Sequence, residues 1–282
     1  MTVFVFPGQG SQVKGMGKDL FPKYPQLVQQ ANSILGYDVE RLCLEDPFQQ
    51  LDNTQYTQPA LFTVSALAYL DQISTNSNLP NYVAGHSLGE YNALFASKAI
   101  DFTTGLKLVQ KRGALMAQAR NGGMAAVIGF NENELRDILH DKQLNNVDIA
   151  NLNTKTQIVI SGLKENIEAA KTALEAAGAR MVIPLKVSGA FHSRYMQNAA
   201  DEFAQFIRQF TFNAPEINII SNVEARPMDA STIQNLLIKQ ITNSVNWAGS
   251  IQYLLDKGES EFIELGSGRV LTGLIATIKR GV

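Results

Sequence analysis

Two short and fully apolar runs place the strongest constraint on the fold of this chain. Residues 3–6 (VFVF) end at a Pro-Gly pair, and residues 82–84 (YVA) end at a glycine that leads into a helical pattern over residues 88–97. Apolar runs of this length, bounded by glycine, indicate buried strands. Buried strands that alternate with helices are typical of a parallel sheet with helices on both faces. The sequence therefore predicts an α/β fold.

The middle third of the chain follows a different pattern. It predicts a strand, a helix, two strands, a helix and a strand, at residues 125–130, 132–142, 147–152, 157–161, 164–177 and 180–186. This βαββαβ order is that of a ferredoxin-like module. Because parallel-sheet signals flank the module on both sides, we predict a small ferredoxin-like domain at residues 124–187. It is inserted into a larger α/β domain made of residues 1–123 and 188–282.

Further elements are predicted in the larger domain. Thr103 or Thr104 caps a helix over residues 105–119, which a run of Asn and Gly ends. An apolar stripe at helical spacing predicts another helix over residues 193–210. A final strand and helix, separated by a glycine turn, are predicted at residues 261–264 and from residue 270 onward.

Charge and cysteine content exclude several classes of protein. The chain carries 24 Lys and Arg against 26 Asp and Glu, and its scattered basic residues form no stripe for nucleic acid. The single cysteine, Cys43, allows no internal disulfide and fits a reducing compartment. No apolar stretch approaches the ~18 residues of a membrane span, and the N-terminus lacks a signal-peptide pattern. We expect a cytoplasmic protein without nucleic-acid or membrane partners and, because sustained heptads are absent, a monomer.

The second apolar run leads into GHSLG at residues 85–89, which matches the G-x-S-x-G nucleophile elbow. The serine of such an elbow lies on a sharp turn between a strand and a helix, where side chains two residues away would collide with the backbone. In this sequence an apolar strand precedes the motif and a helix follows it, as the elbow requires. We predict that Ser87 is a nucleophile; the alternative is an ordinary strand–helix turn.

The elbow also places a backbone N–H at the start of a helix. There the N–H of Leu88 can stabilise the negative oxygen of a tetrahedral intermediate. A second donor must come from another loop, and loops that follow parallel strands lie at one rim of the sheet. The turn at residues 7–12 (PGQGSQ) follows the first strand, and Gln9 is its candidate donor. The alternative is a glycine-rich turn with a solvent-facing amide.

A serine nucleophile requires a base, and the chain contains three histidines. His86 adjoins Ser87 on the same turn and points elsewhere, whereas His140 lies near the end of a charged helix. His192 lies in a loop of small residues, 188–193 (SGAFHS), between a strand and a helix. By elimination we predict that His192 is the base, with a structural histidine as the alternative. Spacing identifies no acid for a Ser-His-Asp triad.

Arg112 gives the clearest indication of the substrate. Its neighbours three and four residues away along the predicted helix are apolar: Leu108, Val109, Leu115 and Met116. An unpaired charge on the apolar face of a helix would be unfavourable, so Arg112 needs a partner. That partner is either a substrate carboxylate, held by the guanidinium in a bidentate fork, or a carboxylate of the protein. The sequence leaves both alternatives open.

Several motifs together resemble those of the malonyl-CoA:acyl carrier protein transacylases, the acyltransferases of fatty acid and polyketide synthesis. They run in order along the chain: residues 7–12 (PGQGSQ), 57–61 (TQPAL), 85–91 (GHSLGEY), 111–113 (KRG), 189–192 (GAFH) and 266–268 (GSG). Residues 89–95 (GEYNALF) and 151–154 (NLNT) are most similar to free-standing members that serve modular polyketide synthases in trans. Ser267 stands where a proline is common, in a turn, which leaves the mechanism unaffected. The resemblance implies a hydrolase-like large domain with a parallel sheet and an inserted ferredoxin-like domain.

Carried over by position, the resemblance implies these roles: nucleophile Ser87, base His192, oxyanion donors Leu88 and Gln9, and malonyl carboxylate anchor Arg112. It also places Gln58 in a motif that lines the same pocket. In this family a backbone carbonyl steadies the histidine in place of an aspartate, and residues 240–247 correspond to the region that supplies it, with Gln240 as our choice. Phe191 matches malonyl-selective members, because a bulky ring there crowds an α-methyl branch.

The expected activity is transfer of a malonyl group from CoA to the phosphopantetheine thiol of an acyl carrier protein, through an acyl-enzyme at Ser87. We expect no metal or redox cofactor, since CoA enters as part of the substrate malonyl-CoA. The alternative is an acyl hydrolase that clears acyl groups from carrier proteins, but such an enzyme gains nothing from a carboxylate anchor at Arg112. A non-catalytic docking protein is disfavoured because the chain retains Ser87, His192, Gln9 and Arg112 together.

Overall fold

A computed structural model describes residues 2–76 and 79–281 of the chain. The strands within these ranges form a five-stranded and a four-stranded sheet. The strands are β1 (Thr2–Phe6), β2 (Tyr82–Gly85), β3 (Gly122–Ile128), β4 (Asp148–Leu152), β5 (Gln157–Leu163), β6 (Met181–Pro184), β7 (Asn218–Ile220), β8 (Pro227–Met228) and β9 (Glu261–Glu264).

The helices surround these sheets, and within the described ranges none combines the length and apolarity needed to cross a membrane. They are α1 (Pro25–Leu35), α2 (Val39–Leu44), α3 (Thr54–Thr75), α4 (Gly89–Ala96), α5 (Phe102–Met116), α6 (Glu132–Asp141), α7 (Lys164–Ala176), α8 (Gln197–Ile207), α9 (Ala230–Gln240), α10 (Trp247–Asp256) and α11 (Val270–Lys279).

The five-stranded sheet has the order β8-β7-β2-β1-β9, and its pairs are parallel except for the edge pair β7–β8. Successive side chains of a strand point to opposite faces. Phe4 and Phe6 therefore join the core beneath α3, α4 and α5, whereas Val3 and Val5 pack in a second core with Trp247. Because both faces are covered, residues 3–6 of this strand are all apolar. The predicted α/β fold with a parallel sheet is confirmed.

The four-stranded sheet has the order β4-β5-β3-β6, and all its pairs are antiparallel. The order of elements along the chain is βαββαβ, as predicted. The strand β3 begins at Gly122 rather than at residue 125, because its glycines pair with β5 instead of forming a turn. A Cβ on Gly122 would lie 2.1 Å from the backbone nitrogen of Ala190, so close packing against that loop demands glycine at this position. The domain boundaries at residues 124 and 187 stay a prediction.

Two helices differ from the sequence prediction at their ends. Helix α5 begins at Phe102, and the side chain of Asp101 caps it by accepting a hydrogen bond from the N–H of Thr104. The prediction of a threonine cap is therefore wrong. The helix predicted over residues 193–210 is shorter, because a 3₁₀ turn at Arg194–Met196 precedes α8.

Backbone hydrogen bonds link the two sheet units. The N–H of Leu152 donates to the carbonyl of Val245, and the N–H of Val245 donates to the carbonyl of Ala150, each at 2.9 Å. Val245 lies shortly after α9, so a segment of the larger unit pairs with β4 of the smaller one. The neighbouring Ser244 reinforces this contact, since its hydroxyl donates to the carbonyl of Ile149.

Candidate active site

Ser87 lies between β2 and α4, on a turn that only small neighbours permit. Its φ of 52° is in the left-handed region, which a residue other than glycine rarely adopts. A Cβ on Gly85 would lie 1.9 Å from the carbonyl carbon of Gly89, and a Cβ on Gly89 would lie 2.0 Å from the carbonyl oxygen of Phe6. The backbone is therefore compressed on both sides of the serine, and the turn has the geometry of a nucleophile elbow.

His192 is hydrogen-bonded to the serine. Its Nε2 lies 2.8 Å from Ser87 Oγ, and its Nδ1 lies 2.7 Å from the backbone carbonyl oxygen of Gln240. A carbonyl oxygen only accepts, so Nδ1 carries the hydrogen and Nε2 is free to accept the proton of the serine. Among the described residues, no carboxylate hydrogen-bonds to this ring. A backbone carbonyl therefore orients the histidine, as an aspartate does in a Ser-His-Asp triad.

The surroundings keep the His192 ring neutral. Burial, and then the nearby positive charge of Arg112, lower the pKa of His192 to about 3. At neutral pH the imidazole is therefore in its unprotonated form, which is the form that can accept a proton from Ser87.

Arg112 is 1% exposed and points from α5 toward the serine. Its Nη1 donates to Gln58 Oε1 at 2.9 Å, and its Nη2 donates to Gln240 Oε1 at 2.8 Å and to Ser87 Oγ at 3.1 Å. All three partners are neutral, and no carboxylate of the described residues forms an ion pair with the guanidinium. Its Nε has no hydrogen-bond partner there either. Of the two alternatives for Arg112, a bridge to a protein carboxylate is absent from the described part of the chain.

Leu88 and Gln9 face the same cavity as the serine. Neither backbone N–H donates a hydrogen bond to another described residue. The side chain of Gln9 is not directed to solvent: its Nε2 donates to Thr54 Oγ1 at 3.1 Å, at the start of α3. Two backbone donors beside a serine are the arrangement that an oxyanion hole requires.

The cavity above Ser87 has a volume of about 100 Å³, which suits a small acyl group. Phe191 forms part of its wall, and its ring packs against Gly189, where a Cβ would lie 2.7 Å from the ring. Met124 and Leu185, from the smaller sheet unit, also line the cavity. A larger groove of about 720 Å³ lies beside α1 and α5. Neither Ser87 nor any histidine lines it.

The other histidines take no part in this contact. His86 Nε2 lies 2.9 Å from Asn153 Oδ1 in the smaller unit, and its ring packs at 5.6 Å from that of Trp247. Burial lowers the pKa of His86. The side chain of His140 is 81% exposed and lies beside Asp141. The structure thus places only His192 against the serine.

Two residues around the elbow were not identified from the sequence. Asn222 accepts a hydrogen bond from the N–H of Ser87 at 2.7 Å and donates to the carbonyl of Gly85 at 2.6 Å. Glu90, in the first turn of α4, accepts from the N–H of Asn222 at 2.7 Å and from Gln240 Nε2. Burial raises the pKa of Glu90 to about 7. The available signal for Glu90 was its charge on an otherwise uncharged helix, whereas Asn222 lies in no pattern.

A serine on a strained elbow, a neutral histidine and two unpaired backbone donors define the class of enzymes that carry an acyl group on a serine. Comparison with protein families agrees with this class. The family model described as acyl transferase domain matches residues 3–280. The chain belongs to the acyl transferase domain family.

Within this family, the chain is similar to relatives and solved structures that are named as malonyl transacylases. The chain is 54% identical, over 99% of its length and 98% of the relative, to the polyketide biosynthesis malonyl CoA-acyl carrier protein transacylase PksC of Bacillus subtilis (strain 168). It is similar to the crystal structure of a malonyl CoA-acyl carrier protein transacylase from Burkholderia pseudomallei, with a TM-score of 0.96, 44% identity and coverage of 100% and 99% of the two chains.

A further similar structure is that of a type II polyketide synthase acyl-carrier protein in complex with its malonyl-transacylase. It matches with a TM-score of 0.94 and 35% identity, over 99% of this chain and 93% of the other. The predicted family is confirmed by these comparisons, as is the predicted combination of a large α/β unit and a smaller one.

Proposed function

We propose that this chain moves a malonyl group from malonyl-CoA to the phosphopantetheine thiol of an acyl carrier protein, through an acyl-enzyme at Ser87. The activity is that of a malonyl-CoA:acyl carrier protein transacylase, and full-length similarity to transacylases supports it. The observation that supports malonyl as the acyl group is the buried guanidinium of Arg112. It lies 3.1 Å from the nucleophile and has only neutral partners among the described residues.

A malonyl group supplies a carboxylate that can pair directly with the guanidinium, which the described residues do not. The guanidinium has N–H groups left over after its bonds to Gln58 and Gln240, and these can bind a carboxylate in a fork. When Ser87 Oγ becomes an ester oxygen, its bond from Arg112 Nη2 weakens and that N–H also becomes available. The carboxylate also offsets the positive charge that helps to lower the pKa of His192, so the bound substrate makes the base stronger.

Acylation begins with proton transfer from Ser87 Oγ to His192 Nε2, while the oxygen attacks the thioester carbonyl carbon of malonyl-CoA. The N–H groups of Leu88 and Gln9 stabilise the resulting oxyanion. When the carbon–sulfur bond breaks, the CoA sulfur takes the proton from His192. The charged imidazole is stabilised meanwhile by the carbonyl of Gln240, which accepts from Nδ1.

Deacylation repeats these steps with a different thiol. His192 takes the proton of the carrier protein's phosphopantetheine thiol, and the sulfur attacks the ester carbon. The ester bond breaks, and Ser87 Oγ recovers a proton from His192. Each proton transfer is assigned to a residue of the chain, so the proposed cycle uses malonyl-CoA as substrate and needs no metal or redox cofactor.

The same proposal includes the selectivity for malonyl over branched acyl groups and the biosynthetic pathway. Phe191 crowds an α-methyl branch, and Gln58 holds the guanidinium in place through its Oε1. The similarity to a polyketide biosynthesis relative supports a role in polyketide synthesis, with fatty acid synthesis as the second pathway. The monomeric state and the cytoplasmic location stay predictions.

The direct test is intact mass after exposure to malonyl-CoA, with acetyl-CoA as the comparison and Ser87→Ala as the control. We expect a malonyl adduct on the wild type, less of an acetyl adduct and none on the variant. Addition of a holo-acyl carrier protein should then clear the adduct and load the carrier. Clearance to free malonate, with the carrier left unloaded, would indicate the hydrolase instead.

A further inference from the structure

Both peptide groups of the nucleophile are held by side chains. The N–H of Ser87 donates to Asn222 Oδ1 at 2.7 Å, and its carbonyl accepts from Gln240 Nε2 at 2.9 Å. Residues in the left-handed region are strained and persist only where their surroundings over-determine them. These two contacts are the side-chain bonds that fix the strained backbone of Ser87.

Both contacts lead to one carboxylate. Glu90 Oε1 accepts from the backbone N–H of Asn222 at 2.7 Å, and Glu90 Oε2 accepts from Gln240 Nε2. Glu90 is 1% exposed, and it is absent from the lining of the cavity above Ser87. It therefore touches the residues that hold the nucleophile rather than the space that a substrate would occupy.

An ionised carboxylate can only accept hydrogen bonds, and this fixes the direction of the Gln240 amide. Its NH₂ group faces Glu90 and the carbonyl of Ser87, so its Oε1 faces Arg112 Nη2. The backbone carbonyl of the same residue holds His192 Nδ1. Gln240 thus connects the buried carboxylate of Glu90 to Ser87, to His192 and to the guanidinium of Arg112.

We propose that Glu90 is a positioning residue, whose ionised carboxylate orients Gln240 and Asn222 and thereby holds Ser87 and His192 in register for acylation. The proposal rests on the proposed function, in which Ser87 and His192 are nucleophile and base. The Glu90→Gln variant is the appropriate change because it keeps the shape and replaces one acceptor by a donor. If its oxygen serves Asn222, its NH₂ faces the NH₂ of Gln240, which must turn away from the Ser87 carbonyl.

The experiment measures single-turnover acylation of Ser87 by malonyl-CoA at pH 8, in the wild type and in Glu90→Gln. We expect the maximal rate to fall about 10- to 100-fold, the loss typical of a buried donor left unpaired. The half-saturating malonyl-CoA concentration should stay within about threefold, because Glu90 does not touch substrate. An unchanged maximal rate would overturn the proposal, as would a loss confined to substrate binding.

Melting temperature separates positioning from support of the fold. Glu90 has a raised pKa, so the folded chain holds this proton more tightly than the unfolded chain, and folding loses stability as pH rises from the ordinary value of 4.5 through about 7. A neutral glutamine escapes that loss, which offsets the cost of the buried donor that it leaves unpaired, so at pH 8 the variant should melt close to the wild type. A clearly lower melting temperature would indicate a structural role and overturn the proposal.

Glu264→Gln is the matched control. Glu264 is also buried, and its carboxylate accepts from the N–H groups of Leu271 and Thr272 at the start of α11, away from the cavity. This variant should melt at a lower temperature and acylate at the wild-type rate. If it slowed acylation as much as Glu90→Gln does, the effect would belong to any buried carboxylate and the proposal would fail.

A pH profile adds an independent readout. The titratable groups that interact with Glu90 are Arg112 on α5 and Tyr91 on its own helix, whereas Asn222 and Gln240 present neutral amides. Protonation of Glu90 mimics Glu90→Gln, so wild-type acylation should rise with pH through about 7 and the variant's profile should lose this rise. In the chain without substrate the pKa of His192, about 3, lies well below this range, so the profile is measured at malonyl-CoA concentrations far below saturation. A rise that persists in the variant would assign it to another group and overturn the proposal.

A double variant tests the route. If Glu90 acts through Asn222, the Glu90→Gln change should slow acylation less in an Asn222→Ala background than in the wild type. If the two substitutions slowed acylation independently, so that their effects on the rate multiplied, the route through Asn222 would be contradicted. A wild type that acquires no malonyl mass refutes the proposed function. If the wild type is malonylated and Glu90→Gln is acylated at the same rate, only the role of Glu90 is refuted.

Discussion

The two sheet units contribute to the cavity in different ways. The unit built on the five-stranded sheet carries Ser87, His192 and Arg112, which are joined by hydrogen bonds of 2.8 and 3.1 Å. The unit built on the four-stranded sheet contributes the apolar side chains Met124 and Leu185 to the wall. One unit thus holds every group to which we assign a bond-making role, and the other shapes the space in which the acyl group lies.

This difference predicts a gradient of effects. None of the three hydrogen-bonded side chains, those of Ser87, His192 and Arg112, has a substitute. Removing one leaves a buried partner unpaired or removes the reacting atom itself. A wall residue contributes through shape, which neighbouring side chains can partly restore. Substitutions in the larger unit should therefore change the chemistry, and those in the smaller unit should change it less.

The largest effect is expected for Ser87→Ala. Loss of the nucleophile should reduce malonyl transfer by on the order of 10⁴-fold or more, while the fold stays intact because one hydroxyl contributes little to stability. Intact mass and transfer rate are the measurements. His192→Ala should lose nearly as much, and the double variant little more. A Ser87→Ala protein that still gained malonyl mass would refute the assignment of the nucleophile.

Arg112→Ala should come next and should act on substrate choice. Removing one partner of a buried charge pair typically costs ~2–5 kcal/mol, so malonyl transfer should fall roughly 30-fold to several thousand-fold. Acetyl transfer makes no use of the guanidinium and should hold steady or rise. The measurement is the ratio of the two rates. Equal losses for both acyl groups would contradict the role of Arg112 as carboxylate anchor.

Asn153→Ala tests the contact that the smaller unit makes with the elbow. It leaves His86 Nε2 buried without its partner at 2.9 Å, and we expect transfer to fall by about 3- to 30-fold. Malonyl and acetyl transfer should fall alike, since neither His86 nor Asn153 hydrogen-bonds to Arg112. Asn146→Ala, an exposed change in the same unit, is the control and should match the wild type. A loss selective for malonyl would show that this contact bears on the carboxylate.

The smallest effect is expected at the surface. Arg194, shortly after His192, forms an ion pair with Asp148 on β4, and the arginine side chain is more than half exposed. The Asp148 side chain is only 19% exposed, but asparagine keeps an oxygen that can accept from the N–H of Arg194. Asp148→Asn should therefore cost about 1 kcal/mol, lower the melting temperature by a few degrees and leave transfer within about twofold. A tenfold loss of transfer would mean that the units communicate through this pair.

The sequence predicted the elements whose signals are local. Continuous apolar runs marked β1 and β2, because both faces of those strands are buried. The start of α5 was missed because the cap is Asp101, one residue before an apolar position, and the two threonines beyond it were equally plausible caps. The start of β3 was missed because Gly122 resembles a turn residue, whereas its lack of a side chain serves contact with a loop distant in the chain.

The same distinction applies to the candidate site. Ser87 was predicted from its motif, His192 because the chain contains few histidines, and Arg112 because a charge stood on an apolar face. Glu90 and Asn222 were not found, since they act by bonding to backbone atoms and to amides that lie far away in the chain. The contacts themselves leave no spacing that a single sequence could display, and the charge of Glu90 on an otherwise uncharged helix does not indicate what it bonds to.

The pairing of Val245 with β4 bears on how such enzymes can be recombined. Main-chain hydrogen bonds ignore side-chain identity, so a chimaera that exchanges the ferredoxin-like segment should tolerate many sequence differences along β4. It should not tolerate a change in length there, since β4 already contains an irregular register between Ile149 and Asn151. One inserted residue would offset the segment around Val245 and, upstream of it, the carbonyl of Gln240 that accepts from His192, the proposed base.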